Sequence, residues 1–279
     1  MRARLLGEVL ERAEGDAPIL EVDDLNLSFQ AVKAIQGVSF TVHSGEIFAI
    51  IGPNGAGKTS VFNCVSGLYK PDSGRIDFER ESIIGKKPHS IANRGVARTF
   101  QNIELFPQMT VLDNLMLGRH RHLKYGTAAA MLRWGRASRE EARNREVVEA
   151  VIEFLGLEAH RKSYVMMLPY GIQKQIELGR ALATEPRVLL LDEPAAGMNL
   201  EETEDMSRHI TDIRRELGIG IVLVDHDMRM VMDLADRVLA IDFGRPITTG
   251  TPAEIQSNPD VIRAYLGEEH RTSTQGGAI

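Results

Sequence analysis

One cysteine, Cys64, is all that this 279-residue chain contains. A lone thiol excludes an internal disulfide framework, and its place among Val61, Phe62 and Val65 reads as core packing in a reducing compartment. Long apolar runs are missing as well: no stretch approaches the ~20 residues that a membrane helix requires. Residues 1–16 alternate Arg and Glu with Leu and Val, so they lack the uninterrupted apolar centre of a signal peptide. Nor is there a surplus of positive charge. Lys and Arg number 33 against 39 Asp and Glu, a formal net charge of -6, which argues against a general nucleic-acid binder. No internal repeat and no second phosphate-binding loop is visible. What remains is the expectation of a soluble, cytosolic α/β chain, long enough to bury a large core with a sizeable subdomain.

The most informative segment present is Gly52-Pro53-Asn54-Gly55-Ala56-Gly57-Lys58-Thr59, which fits G-x-x-x-x-G-K-[ST]. An apolar run, residues 46–51, precedes it as a buried strand would, and residues 60–65 follow with helical spacing. Glycines let backbone N–H groups turn inward toward an anion, and the helix N-terminus adds positive dipole character. Lys58 would reach the β- and γ-phosphates, and the Thr59 hydroxyl would ligate Mg²⁺. The loop therefore implies nucleoside triphosphate binding, with contacts from Gly52 through Ser60.

Along the chain, residues 19–29 and 34–42 alternate as strands, and residues 75–78 and 95–100 are further short strand candidates. Helical periodicity takes over from Val111 to about Thr184. Continuous apolar runs return at 188–191, 219–224 and 238–241, as expected of parallel strands covered on both faces, with helices at 201–217 and 228–235 between them. Residues 187–194 end a buried strand on Asp192-Glu193-Pro194. Adjacent strand residues point to opposite sides, so the two acids should differ in role. Asp192 suits Mg²⁺, which prefers hard carboxylate oxygen, and Glu193 suits orientation and deprotonation of an attacking water.

Four further features follow in fixed order, and with the loop and the acidic strand they make the chain resemble the ATP-binding-cassette ATPases. Gln101, in Arg98-Thr99-Phe100-Gln101, falls at the family's Q-loop glutamine, a sensor of Mg²⁺ and water. Residues 168–173, Leu-Pro-Tyr-Gly-Ile-Gln, occupy the place of the signature Leu-Ser-Gly-Gly-Gln. Residues 196–199 occupy the D-loop, and His226 falls at the switch histidine. Phe29 stands where the family stacks an aromatic ring on adenine. The resemblance implies a P-loop core of ABC-ATPase type with an antiparallel β subdomain and an inserted α-helical subdomain. The corresponding division is an N-terminal extension (1–18), a catalytic core (19–100 and 186–267), a helical subdomain (101–185) and a C-terminal tail (268–279). It also implies that two cassettes sandwich two ATP molecules, so that Tyr170 and Gly171 serve the nucleotide held by a second ATPase subunit.

Two positions depart from the family pattern. Pro169 replaces the signature serine and offers neither hydroxyl nor N–H, so the trans contact should be weakened without being lost, resting on N–H groups near Gly171 and on a helix expected at 172–183. Asn199 replaces the D-loop aspartate and removes a charge near the dimer axis.

Within the family, residues 258–267, Asn-Pro-Asp-Val-Ile-Arg-Ala-Tyr-Leu-Gly, resemble the branched-chain amino acid importer ATPases. Such a subunit sits peripherally on the cytoplasmic face of the inner membrane beneath two permeases, fed indirectly by a periplasmic binding protein. Urea or short-amide importers and lipopolysaccharide exporters are the near alternatives, and a soluble non-transport cassette ATPase or a P-loop kinase the remoter ones. The basic segment 118–145, which includes Trp134, reads either as a contact for permease or lipid headgroups or as a solvated helical insert.

Overall fold

The computed structural model describes residues 17–99, 103–122 and 136–265. Its first sheet is antiparallel and joins β1 (Leu20–Phe29), β2 (Val32–Val42), β4 (Ser73–Phe78) and β5 (Glu81–Ser82) in the order β2-β1-β4-β5. In β1 the buried positions run Leu20, Val22, then Leu25, Leu27. The break in period two coincides with a register shift and with Asp24 at φ 45°. A β-bulge thus returns the apolar residues to the core face after one residue of slip.

The second sheet carries the site. It holds β3 (Ile47–Ile51), β6 (Val96–Arg98), β7 (Val188–Asp192), β8 (Gly220–Val224), β9 (Arg237–Asp242) and β10 (Arg245–Gly250) in the order β10-β9-β3-β8-β7-β6. All pairs are parallel except the edge pair β9–β10. Every residue of β3, β7 and β8 is buried, because layers cover both faces of the sheet. Strand alternation divides the side chains between two cores. Ile47, Ala49, Leu189, Leu191, Ile221 and Leu223 pack with Ile210, Ile213 and Val231 on one face. Phe48, Ile50, Leu190, Val222 and Val224 pack with Phe62 and with Leu20, Val22 and Ile76 of the antiparallel sheet on the other.

The principal helices among the described residues are α1 (Lys58–Val65), α2 (Pro88–Arg94), α3 (Val111–Gly118), α4 (Arg136–Phe154), α5 (Tyr170–Leu182), α6 (Leu200–Leu217), α7 (Met228–Leu234) and α8 (Pro252–Ser257). Leu115 of α3, Val148 and Val151 of α4, Leu155 just after it, and Ile176 and Leu178 of α5 share one core, so these three helices pack as a unit. No helix among the described residues is long and apolar enough to cross a membrane.

Several expected boundaries move. The helix expected at 172–183 begins at Tyr170 and ends at Leu182: Pro169, at φ -55° and ψ 153°, is the extended cap residue, so the helical turn starts directly after it. The strand expected at 95–100 is limited to Val96–Arg98, since Gly95 is the left-handed cap of α2. Of the basic segment, Arg119 does not offer its charge to a partner. It is buried, donates to Asn144 and to the Ala183 carbonyl, and pairs with Glu185 at 2.8 Å. Trp134, Arg133 and the side chains of Arg121, Arg136 and Arg139 lie outside what is described. Cys64 is buried, and burial together with Asp72 pushes its thiol up to about 12, so it is inert packing.

Candidate functional site

The C-terminal ends of β3, β7, β8 and β9 lie at one edge of the sheet, where open α/β sheets bind ligands. The loop after β3 is shaped by close backbone approaches. A Cβ on Gly52 would stand 2.2 Å from the Ile241 carbonyl oxygen, and one on Gly57, at φ 104°, would stand 2.4 Å from that of Ala34. Neither position accepts a side chain. Gly57 is the cap of α1, so the loop feeds directly into a helix N-terminus. The Lys58 ammonium reaches back across the loop, donating to the carbonyls of Gly52 at 2.5 Å and Pro53 at 3.0 Å. Asn54, Gly55 and Thr59 are exposed and, with Ala56, Gly57, Lys58 and Ser60, they line an open recess. Glu193, His226, Val32, Lys33, Ala34 and Phe243 complete its wall.

The two acids diverge, because β7 ends at Asp192 and the chain turns at Glu193. Glu193 turns into the recess at φ 51°, its N–H donating to the Val224 carbonyl at 2.7 Å. His226 Nε2 stands 2.6 Å from Glu193 Oε1. The carboxylate is mostly buried and the imidazole half exposed, so Glu193 is held from the solvent side by a group that can move. Asp192 points the other way. Its Oδ2 accepts from Arg98 at 2.8 Å, and the same guanidinium donates to Asn63 Oδ1 at 2.6 Å and Ser66 Oγ at 3.2 Å while lying over the Phe62 ring. Arg98 therefore ties Asp192 to α1, the helix that carries Lys58 and Thr59.

Asp225, between β8 and His226, is buried and accepts the N–H groups of Ala195 and Asp227. Burial raises its pKa, opposed by those backbone donors and reinforced by the charge of Glu193. It connects the loop after Glu193 to the loop that carries His226. Motif reading did not assign roles to Arg98, Asn63, Asp225 or Phe243. The available signals were a charged residue closing a short buried strand at Arg98 and a carboxylate flanking His226.

Other expected site residues are placed as follows. Phe29 is exposed and sits edge-on to Tyr69, ring centroids 5.1 Å apart, outside the side chains that line the recess. Tyr170 packs over Gly197, whose Cβ would stand 3.3 Å from the Tyr170 ring. Gly171 lies in the first turn of α5 against Glu202, where a Cβ would meet Glu202 Oε1 at 2.4 Å. Asn199 caps α6 in a reciprocal capping box with Glu202, a local role that asparagine fills as well as aspartate. Gln101 lies outside the described residues.

A metal at this site would find no protein cage: no cluster of three His, Cys, Asp or Glu side chains able to hold one exists among the described residues. Of the expected donors, the Thr59 hydroxyl lines the recess, whereas the Asp192 carboxylate is not among the side chains that line it and has one oxygen engaged by Arg98. That set fits Mg²⁺, which typically takes one or two protein oxygens together with phosphate and water.

Residues 35–196 match the family described as ABC transporter, and residues 245–271 match the family described as branched-chain amino acid ATP-binding cassette transporter. The high-affinity branched-chain amino acid transport ATP-binding protein BraF of Pseudomonas aeruginosa is 42% identical over 251 residues, covering 90% of this chain and 98% of the relative. LivG of Escherichia coli K12, of the same description, is 40% identical over the same length. The lipopolysaccharide export system ATP-binding protein LptB of Haemophilus influenzae is 34% identical over 253 residues, 91% of this chain and 99% of the relative. Among solved structures, the ADP conformation of MJ1267, an ATP-binding cassette of an ABC transporter, superposes with a TM-score of 0.78 at 29% identity, covering 90% of this chain and 99% of that one.

Proposed function

Because this chain belongs to the ABC transporter ATPases, we propose that it is the ATP-hydrolysing subunit of an importer for branched-chain amino acids. The observation that carries the substrate class is the C-terminal match over residues 245–271, which includes none of the residues proposed for the phosphate chemistry. The higher identity to BraF and LivG than to LptB points the same way. ATP hydrolysis itself belongs to the family, whose subunits dimerise and work with membrane permeases. A second cassette, two permeases, a periplasmic binding protein and a position on the cytoplasmic face complete the proposed assembly.

In this proposal Gly52–Ser60 cradle the triphosphate, and Lys58 moves from the Gly52 and Pro53 carbonyls to the β- and γ-phosphates. Thr59 and Asp192, with Gln101, would hold Mg²⁺, which when bound neutralises charge on the phosphates. Glu193 takes the proton of the attacking water. His226, 2.6 Å from Glu193 Oε1, keeps the carboxylate aimed into the recess. Phe29 serves the adenine, and Tyr170 and Gly171 serve the partner's nucleotide. The complex purified with its co-encoded permeases and binding protein should show ATPase activity raised by leucine, isoleucine or valine. Stimulation by an amide or a lipopolysaccharide fragment alone would replace the substrate assignment and leave the ATPase intact.

Pro169 occupies the cap position of α5 without a side-chain hydrogen bond. Pro169→Ser would add a hydroxyl able to accept a helix N–H and to donate to a phosphate across the dimer. One such bond contributes about 1 kcal/mol, or about fivefold in an association constant. ATP-driven association should tighten by that factor. Unchanged association and turnover would mean that backbone donors alone make the trans contact.

A further inference from the structure

Strands β9 and β10 are joined by the two residues Phe243 and Gly244, with Asp242 and Arg245 paired across the turn. Both linking residues have positive φ, 45° and 79°, as a type I′ hairpin demands. Asparagine, aspartate or glycine suits the first position. A phenylalanine there costs about 1–2 kcal/mol of left-handed backbone strain, and the residue is 59% exposed. A strained, outward-facing aromatic is a feature that ligand contact can repay.

The turn is pinned against the phosphate loop. Gly244 N–H donates to the Ala56 carbonyl at 2.9 Å, and its own carbonyl accepts from Gln36 N–H at 2.8 Å. The Gln36 side-chain amide donates to the Phe243 carbonyl at 2.9 Å and accepts from Arg245 at 3.1 Å. Ala34, Gly57 and Gly244 meet so closely that a Cβ on Gly244 would stand 2.6 Å from the Ala34 oxygen. The backbone of Phe243 is therefore fixed to the loop, and its side chain is held at the rim of the recess beside Val32, Lys33 and Ala34. Phe29, edge-on to Tyr69, is not among the side chains that line the recess, so a contact at Phe243 adds to the one proposed at Phe29 and does not replace it.

We propose that Phe243 is a nucleotide-contacting residue, an aromatic wall against which the nucleoside half of the bound nucleotide packs while its phosphates lie in the loop. This assignment rests on ATP occupying the phosphate loop. It makes Phe243 a determinant of selectivity for a nucleotide over a bare polyphosphate: the loop recognises phosphate through charge and N–H groups, and the ring adds an apolar surface that only the nucleoside can use.

The test is titration calorimetry of the full chain with Mg²⁺-ATP and, separately, with Mg²⁺-tripolyphosphate. Phe243→Asn removes the ring and relieves the backbone strain, so the melting temperature of the variant should equal or exceed that of the parent and misfolding cannot account for lost binding. ATP affinity should fall by about 5- to 100-fold, the range of one base–aromatic contact, with tripolyphosphate affinity unchanged and Phe243→Tyr retaining ATP binding. Unchanged ATP affinity in Phe243→Asn, or an equal loss for both ligands, would overturn the assignment. Lys58→Ala should weaken both ligands; retention of both by Lys58→Ala would instead overturn the placing of ATP in the loop.

Discussion

Glu193→Gln should lower ATP turnover by about 10²–10⁴-fold, the range contributed by a positioned general base, while ATP still binds. The geometry singles this substitution out. The carboxylate lines the recess, is mostly buried, and meets His226 Nε2 at 2.6 Å. Glutamine has the same shape, and its amide oxygen can accept from the imidazole as the carboxylate does, so the loop, the histidine and the recess keep their arrangement. The variant loses only the capacity to accept a proton. In the proposed assembly ATP bridges two cassettes until it is hydrolysed, so an assembly stabilised by ATP should accumulate and be visible by size-exclusion chromatography with the partner cassette present. Turnover near the parent rate would remove Glu193 as the base.

His226→Ala separates aiming from proton transfer. It leaves the carboxylate and removes the group that directs it, so residual activity should exceed that of Glu193→Gln. Asp225 bears on the same contrast. It takes backbone N–H groups from Ala195, beyond Glu193, and from Asp227, beyond His226, and so couples the two loops whose side chains meet in the recess.

The parts of this fold most legible in the sequence are those in which burial dictates composition. Strands β3, β7 and β8 are continuous apolar runs because both faces are covered, and α6 shows its beginning in Asn199 and its end in Gly218, at φ 65°. The phosphate loop is legible because its first and last glycines answer a steric demand: Gly52 has no room for a Cβ against Ile241, nor Gly57 against Ala34. Less legible were features created by tertiary contact. The bulge at Asp24 follows from strand register, which no local pattern states. The contact between Gly171 and Glu202 depends on α5 and α6 meeting. Arg98 and Asp192 are 94 positions apart and become partners only because β6 and β7 are neighbours. Phe243 reads as an ordinary apolar residue until the turn that holds it is docked on the phosphate loop.

The Arg98–Asp192 pair gives the second large effect. Both side chains are less than 10% exposed, so removal of one leaves the other charged and buried, which costs about 3–5 kcal/mol. Arg98→Met keeps much of the side-chain volume over Phe62 but withdraws the donors from Asp192, Asn63 and Ser66 together. Three elements lose a common tie: α1, β6 and the end of β7. The melting temperature should fall by about 10 °C. Asp192→Asn in the same chain removes the stranded charge, so the double variant should be more stable than Arg98→Met alone, with a coupling energy well above the few tenths of a kcal/mol of independent sites. It should nevertheless remain deficient in hydrolysis, because it lacks the carboxylate proposed to serve Mg²⁺. Measured with Mn²⁺ by electron paramagnetic resonance in the presence of ATP, metal affinity should be reduced in the double variant although its fold is restored. Additive effects on stability would mean that Arg98 and Asp192 act separately. Recovered stability with defective metal binding would mean that the carboxylate balanced by Arg98 is also the one that serves the metal, as proposed.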